Sequence, residues 1–173
     1  EDPRWRVEHA QVVDEFDIQK FNSKIIPSVQ PTHATSDFSW AIQRLGIKRL
    51  ENCYRYYQLK NQNNLIALGT DFPVEKINPI HTFYAATFRK NYDDKPLGGF
   101  QPDESLSRVD ALKGMTIWAA LANFEENEKG SIEKGKAADL TILNTDLITC
   151  EENEILNTKV LYTIVDGEIV YEN

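Results

Sequence analysis

Residues 64–73, which read NLIALGTDFP, form a short apolar run that ends in a glycine, a single carboxylate and a proline. Such a run predicts a buried β-strand, and the turn after it places Asp71 on the rim of a sheet. In α/β proteins the carboxyl ends of the strands and the loops that follow them form the ligand crevice. Asp71 is therefore a candidate functional residue, although an aspartate at such a turn also commonly serves as a cap.

Two earlier segments also have the patterns of strands. Residues 5–9 alternate bulky apolar and polar side chains and end at His9, and residues 25–30 form a second short strand that Pro31 closes. Residues 32–37 are polar, and we expect them to form a loop.

Helical patterns alternate with these strands. Residues 14–24 are loosely helical, residues 40–63 are mainly helical with a break at Gly46, and Asn78-Pro79 begins a third helix. Three alternations of strand and helix are typical of parallel βα units. A further helix begins after Ser107, and its predicted core positions are Leu112, Met115, Ala119 and Ala122.

The character of the sequence changes after residue 124. A charged run is followed by a strand at 138–143 and by two strands that flank Asp166-Gly167, a strong hairpin signal. Three such strands carry one apolar face that must pack on something else. We therefore predict two domains, residues 1–124 and residues 125–173.

Composition limits the possible partners and compartments. A net charge of −8 with scattered Lys and Arg residues gives no footprint for nucleic acid or an anionic membrane, and no apolar run reaches the length of a membrane span. Cys53 and Cys150 lie far apart, and neither has a second cysteine or a histidine at metal-ligand spacing, so we expect free thiols. A cytoplasmic location is favoured. We expect no nucleic-acid or membrane partner.

The first residue is Glu1, and the only methionine is Met115. We therefore expect that the chain is the interior or C-terminal portion of a longer product. An N-terminal targeting signal could belong to the missing part, so the cytoplasmic location is favoured and not fixed.

Residues 130–136, GSIEKGK, have the glycine and lysine spacing of a phosphate-binding loop. The next residue is Ala137 where a hydroxyl is needed for Mg²⁺, and the segment precedes a strand instead of joining a strand to a helix. A two-glycine turn is the better interpretation, and nucleotide binding is the least favoured of three candidate functions.

The histidines differ in their placement. His9, His33 and Asp71 follow three successive predicted strands, whereas His81 lies at a helix start and is interpreted as a surface or packing residue. One histidine and one carboxylate do not complete a zinc site, which ordinarily has three protein ligands and an open position.

Four segments carry a resemblance to a known family. Residues 6–11 (RVEHAQ), 27–37 (PSVQPTHATSD), 68–75 (LGTDFPVE) and 129–140 (KGSIEKGKAADL) together resemble the C-terminal third of the YtcJ-like branch of the amidohydrolase superfamily. The resemblance implies an α/β fold: about strands six to eight of a metal-dependent (β/α)₈ TIM barrel, plus part of a small β-sandwich domain.

The resemblance also implies roles for individual residues. His9 matches a metal-binding histidine, and Asp71 matches an aspartate that binds or adjoins the metal and takes a proton from the attacking water. His33 and Asp37 match a loop motif at the mouth of the site and are candidate substrate-binding residues. The resemblance implies a small-molecule substrate, and the implied cofactor is a divalent metal, with zinc favoured. Its other ligands, a His-x-His motif, a lysine and a further histidine, have no counterpart in this chain.

Two functions from different classes follow. The first is a metal-dependent hydrolase of a non-peptide C–N bond, amide or formamide-like, of which this chain is a C-terminal fragment that is inactive alone. The alternative is a non-catalytic scaffold or binding module derived from an amidohydrolase. Three of eight barrel units leave a strand edge and apolar faces unpaired, so a homo-oligomer is a possible assembly.

Overall fold

The computed structural model describes residues 2–173 and contains one parallel and one antiparallel sheet of three strands each. The strands are β1 (Trp5–Glu8), β2 (Ile25–Val29), β3 (Ala67–Leu68), β4 (Leu140–Leu143), β5 (Val160–Val165) and β6 (Glu168–Glu172). The helices are α1 (Glu15–Ile18), α2 (Pro31–Leu45), α3 (Ile47–Leu50), α4 (Tyr56–Asn63), α5 (Pro79–Phe88), α6 (Arg108–Met115), α7 (Ile117–Ala122) and α8 (Glu152–Ile155), with a 3₁₀ turn at Pro102–Glu104.

The parallel sheet has the order β1-β2-β3, so each strand pairs with the next one in the chain. Trp5 is opposite Ile25 and Ser28 is opposite Ala67. Helices connect the strands, which confirms the predicted α/β class. Because all three strands run the same way, the loops after β1, β2 and β3 meet at one edge of the sheet.

One prediction at this edge is wrong. Pro31 begins helix α2 instead of closing a strand, and residues 32–37 belong to that helix instead of a polar loop. Proline suits a first helical position because its φ is already fixed and its missing N–H would have no intrahelical partner. Gln30 before it is extended, with φ −121°, as a residue before proline prefers.

The other element predictions differ mainly in length. Only Glu15–Ile18 of the region 14–24 is helical, and β3 is confined to Ala67–Leu68. Asn78 caps α5 by accepting a hydrogen bond from the Ile80 N–H at 3.0 Å, as its position before Pro79 predicts.

The core positions predicted after Ser107 are only partly correct. Leu112 is 38% exposed, whereas Ala111 and Gly114 of the same helix are buried. The reason is a break at Thr116, with φ −128° and ψ −101°, which separates α6 from α7. Apolar residues that are spaced for one continuous helix therefore do not all lie on one buried face.

The core lies between the parallel sheet and helices α2, α4, α5 and α6. Fully buried side chains include Val29, Ile66, Leu59 and Phe83. Gly114 lets α6 lie directly on β3, since a Cβ there would be 2.6 Å from the Leu68 Cγ.

The antiparallel sheet has the order β4-β5-β6, as the sequence predicts for three strands. Asp166 and Gly167 join β5 to β6 with φ values of 51° and 82°, the left-handed pair that a tight hairpin requires. Leu147 and Ile155 belong to the same buried cluster as Val29. The domain boundary at residues 124 and 125 stays a prediction.

Within residues 2–173, none of the helices combines the length and the apolar character that crossing a bilayer requires.

Candidate metal centre

His9, His33 and Asp71 meet at the carboxyl edge of the parallel sheet. Each offers a ligand atom, and these atoms lie within 4.8 Å of one another. The Asp71 Oδ2 is 3.1 Å from the His33 Nε2 and 3.9 Å from the His9 Nδ1. The two imidazole rings stack with centroids 5.6 Å apart and an interplanar angle of 10°. Three side chains from three successive βα units thus converge on one point.

The backbone is unusual at two of these positions. His9 and Asp71 have φ values of 69° and 58°, in the left-handed region that non-glycine residues seldom adopt. The His9 N–H donates to the Ser28 carbonyl at 2.8 Å, and the Asp71 carbonyl accepts from the Val74 N–H at 2.8 Å. Strain of this kind costs about 1–3 kcal/mol per residue and clusters at functional sites. Here it sets the direction of the His9 and Asp71 side chains.

Asp71 does not cap the turn that contains it. The Thr70 Oγ1 accepts the Phe72 N–H at 3.2 Å, and within residues 2–173 no backbone N–H donates to the Asp71 carboxylate. The Asp71 side chain is therefore not a cap of this turn, the alternative role that the sequence allowed.

His33 is buried and its two ring nitrogens lack hydrogen-bond partners among the described residues. Its Nε2 is close enough to Asp71 for an ion pair, but the contact is not aligned as a hydrogen bond. A buried polar atom without a partner costs free energy, which a ligand at this point would recover. The imidazole of His9 and the carboxylate of Asp71 are also ligand types that zinc accepts in catalytic sites. The residues present therefore fit a divalent ion.

Exposure differs across the three side chains. His33 is 9% exposed, Asp71 29% and His9 49%. The cluster is thus closed on the side of α2 and open on the side of β1, where a further group could approach.

The structure places Asp37 away from this point of convergence. Its Oδ2 accepts the Tyr54 hydroxyl at 2.7 Å and the Gln11 amide at 3.2 Å. The Tyr54 N–H donates to the Gln11 carbonyl at 2.7 Å, and burial, followed by Asp37, raises the pKa of Tyr54. Asp37 therefore ties α2 to the segment after His9. Substrate contact by Asp37 stays a prediction.

Sequence reasoning missed this role for Tyr54 and the environment of His81. No local pattern in the sequence indicates that Tyr54 has a partner 17 residues away. His81 stacks on Tyr92 with centroids 5.5 Å apart. Its Nδ1 is buried without a partner among the described residues.

Comparisons with known proteins show which family the chain resembles. A model of the amidohydrolase family, Amidohydro_3, matches residues 1–171. The protein LONG AFTER FAR-RED 3 of Arabidopsis thaliana is 37% identical over 172 residues, covering 98% of this chain and 29% of that protein. YtcJ of Bacillus subtilis (strain 168), a candidate amidohydrolase, is 30% identical over 168 residues, covering 96% of this chain and 32% of that protein.

Two further comparisons concern an enzyme and a solved structure. An N-substituted formamide deformylase of Arthrobacter pascens is 36% identical over 107 residues, covering 62% of this chain and 19% of that enzyme. The crystal structure of an uncharacterised metal-dependent hydrolase of Pyrococcus horikoshii OT3 superimposes with a TM-score of 0.73 at 29% identity, covering 86% of this chain and 30% of that one.

The chain spans about three tenths of the length of the first two relatives. The family match covers nearly the whole chain, and both relatives are at least 30% identical to it. The chain therefore belongs to the amidohydrolase superfamily, in the family 3 branch that includes YtcJ.

Proposed function

We propose that this chain is the C-terminal part of a metal-dependent amidohydrolase that hydrolyses a non-peptide C–N bond, amide or formamide-like. The single observation that carries the proposal is the convergence of His9, His33 and Asp71 within 4.8 Å. The similarity to an N-substituted formamide deformylase supports a formamide-like substrate.

His9 and Asp71 would hold the ion, and zinc is the proposed metal because it accepts imidazole and carboxylate ligands. A bound divalent ion supplies Lewis acidity, which polarises a carbonyl and makes water acidic enough to react near neutral pH. We propose that the remaining ligands belong to barrel strands outside this chain, and that the 173 residues alone are inactive.

Asp71 is the proposed proton carrier. Its carboxylate lies on the rim with Oδ2 free of backbone donors within residues 2–173, so it can accept a proton from the attacking water. The same atom can then return that proton to the leaving nitrogen, which allows the C–N bond to break as an amine departs. His33 lies 3.1 Å from this oxygen, and we propose that it contacts the substrate there.

The fold of the whole protein is part of the proposal. The three parallel strands would be strands six to eight of a (β/α)₈ barrel, and β4 to β6 would complete a small β-sandwich with strands from elsewhere in the protein. The solved metal-dependent hydrolase superimposes on 86% of this chain but extends well beyond it, which supports both assignments.

The test is an Asp71→Asn substitution in the full-length protein, with N-benzylformamide and a panel of simple amides as substrates. Turnover is expressed per bound metal ion, because Asp71 is also a proposed ligand of the metal. We expect this turnover to fall about 10²–10⁴-fold, since general acid–base catalysis contributes an effect of that size. Asp103→Asn makes the same chemical change at an exposed position in the 3₁₀ turn and should leave turnover unchanged.

Normal turnover by Asp71→Asn would show that the role of Asp71 is wrong. If the metal-loaded wild-type protein hydrolyses none of these substrates, the proposed reaction class is wrong.

A further inference from the structure

We propose that the cavity beside the metal cluster binds the carboxylate of an amide substrate whose body is aromatic or apolar. The cavity has a volume of about 680 Å³ and lies between α2, the segment after Asp71 and the loop after α5. Thr32 and Phe72 line it, and each is the sequence neighbour of a cluster residue, His33 and Asp71 respectively. The inference rests on the proposed function only in naming the bound molecule as the substrate.

The apolar part of the cavity wall is largely aromatic. Phe38, Phe72 and Tyr92 line it, together with Pro73 and Val74. Aromatic side chains favour flat or bulky apolar groups, since ring contacts add to the free energy of burial.

The polar part of the wall has groups without partners. The Thr32 side chain is more than nine-tenths buried, and its hydroxyl has no hydrogen-bond partner among the described residues. His81 also lines the cavity, and its buried Nδ1 likewise has no hydrogen-bond partner among the described residues. Buried polar atoms without partners are rare in folded proteins, and two at one cavity indicate a polar ligand group.

Lys76 supplies the charge. Its Nζ lies 3.2 Å from the centroid of the Tyr92 ring and forms no ion pair within residues 2–173. The ammonium is therefore held at the cavity wall by an aromatic ring, with its positive charge not neutralised by a carboxylate.

The charge balance favours a single negative charge on the ligand. Glu75 also lines the cavity, and the Ser36 hydroxyl donates to its Oε1 at 2.6 Å. Burial, followed by Lys76, lowers the pKa of His81, so the imidazole is neutral near pH 7. The Ser36 hydroxyl leaves the negative charge of Glu75 in place, and the wall offers a single ammonium. A ligand with one negative charge is therefore accommodated better than a phosphate, which carries more charge and commonly binds at arginine clusters.

The experiment compares two probes by isothermal titration calorimetry on metal-free full-length protein at pH 8. N-formyl-phenylalanine carries a formamide, an aromatic ring and a carboxylate, and N-formyl-phenylalaninamide is the same molecule without the charge. We expect the acid to bind about tenfold more tightly or better, the size of a charge-assisted hydrogen bond.

Substitutions assign this preference to one side chain. Lys76→Gln should reduce the affinity ratio to about one, and Lys76→Arg should keep most of it. Lys134→Gln removes the same charge from an exposed turn and should change nothing. Circular dichroism spectra will show whether each variant is folded.

The proposal is overturned if neither probe binds, if the two bind equally to the wild type, or if the preference survives Lys76→Gln. Because no metal and no turnover are needed, a protein that binds the acid selectively but hydrolyses nothing would refute the proposed reaction and retain this subsite.

Discussion

At the scale of single residues, the candidate metal centre depends on two strained positions. His9 and Asp71 adopt left-handed backbone conformations, and both are held by backbone hydrogen bonds to their surroundings. The cost of about 1–3 kcal/mol at each must be met by the packing around them. A glycine would adopt the same backbone more easily but would bring no ligand to the edge of the sheet.

His81 should make the stability of the protein depend on pH. Burial and the nearby Lys76 lower its pKa below the ordinary value of 6.5 in the folded state. In the unfolded chain the imidazole takes up a proton as the pH falls through 6.5, so the unfolded state binds more protons there. The contribution of His81 to the free energy of unfolding is therefore complete above pH 6.5, and it is lost as the pH falls toward the folded-state pKa.

Urea unfolding of wild type and His81→Asn from about pH 8 to about pH 5.5 measures this effect. We expect the difference in unfolding free energy between the two proteins to shrink as the pH falls. Gln43→Asn, a neutral change on an exposed position of α2, should give a constant difference. A His81→Asn difference that does not vary with pH would contradict the assignment.

The residues of the site were predictable from sequence to different degrees. His9 and Asp71 each end a run with a strand pattern, and parallel strands bring such ends together, so their proximity could be predicted. The bond from Tyr54 to Asp37 could not, because it depends on how α2 packs against the segment that precedes α4. The same limit applies to His81, whose partner Tyr92 lies in a loop without a periodic pattern.

At the scale of elements, α6 lies against β3 through Gly114. A Cβ at this position would be 2.6 Å from the Leu68 Cγ and 3.0 Å from the Ile66 carbonyl oxygen. The backbone oxygen cannot move aside as a flexible side chain can. Because β3 leads directly to Asp71, this contact also fixes the strand that positions Asp71.

Gly114→Ala should therefore destabilise the protein. Alanine gains about 1 kcal/mol in helix propensity, whereas forcing a methyl group into a packed site costs about 1–3 kcal/mol. We expect a net loss of up to about 2 kcal/mol, measured by urea unfolding. Gly69→Ala is the control, since no atom lies within 4 Å of its added Cβ, and it should be close to neutral. A Gly114→Ala variant more stable than the wild type would show that α6 can move away from β3.

Element boundaries show where local patterns were insufficient. The sequence indicates an element boundary at Pro31, but a proline can either end a strand or begin a helix. The side chains of Thr32, His33 and Thr35 are buried, so packing within the fold favours a helix here. The polar composition of the segment does not indicate this burial. The caps at Asn78 and Ser107 were predictable, since the capping bonds are local.

At the scale of the whole molecule, the parallel sheet has an exposed edge. Strand β1 pairs only with β2 among the described residues, and Trp5 and Val7 on it are 70% and 39% exposed. Unpaired edges with apolar side chains promote association with other chains.

We therefore expect the 173-residue chain to self-associate. Size-exclusion chromatography with light scattering should give a mass above that of the monomer, rising with concentration. Trp5→Lys should shift the chain toward the monomer, because a charge at a strand edge opposes pairing. Ile132→Lys, at an exposed turn position, should have no such effect. A wild-type chain that is monomeric at every concentration would contradict this expectation.

The two sheets are joined by specific contacts. The Arg108 Nη1 of α6 donates to the carbonyls of Leu147 and Cys150 at 3.2 and 2.6 Å, and Lys90 pairs with Glu152 at 2.7 Å. The segment between β4 and β5 is thus fastened to the helices that cover the parallel sheet.

The central claim is that His9 and Asp71 hold a metal ion at the carboxyl edge of the parallel sheet. Anomalous diffraction at the zinc edge, from crystals of the full-length protein grown with zinc, tests it most directly. We expect an anomalous peak about 2.0–2.2 Å from a nitrogen of His9 and an oxygen of Asp71. A fully occupied zinc ion bound by other residues, with neither His9 nor Asp71 within ligand distance, would contradict it.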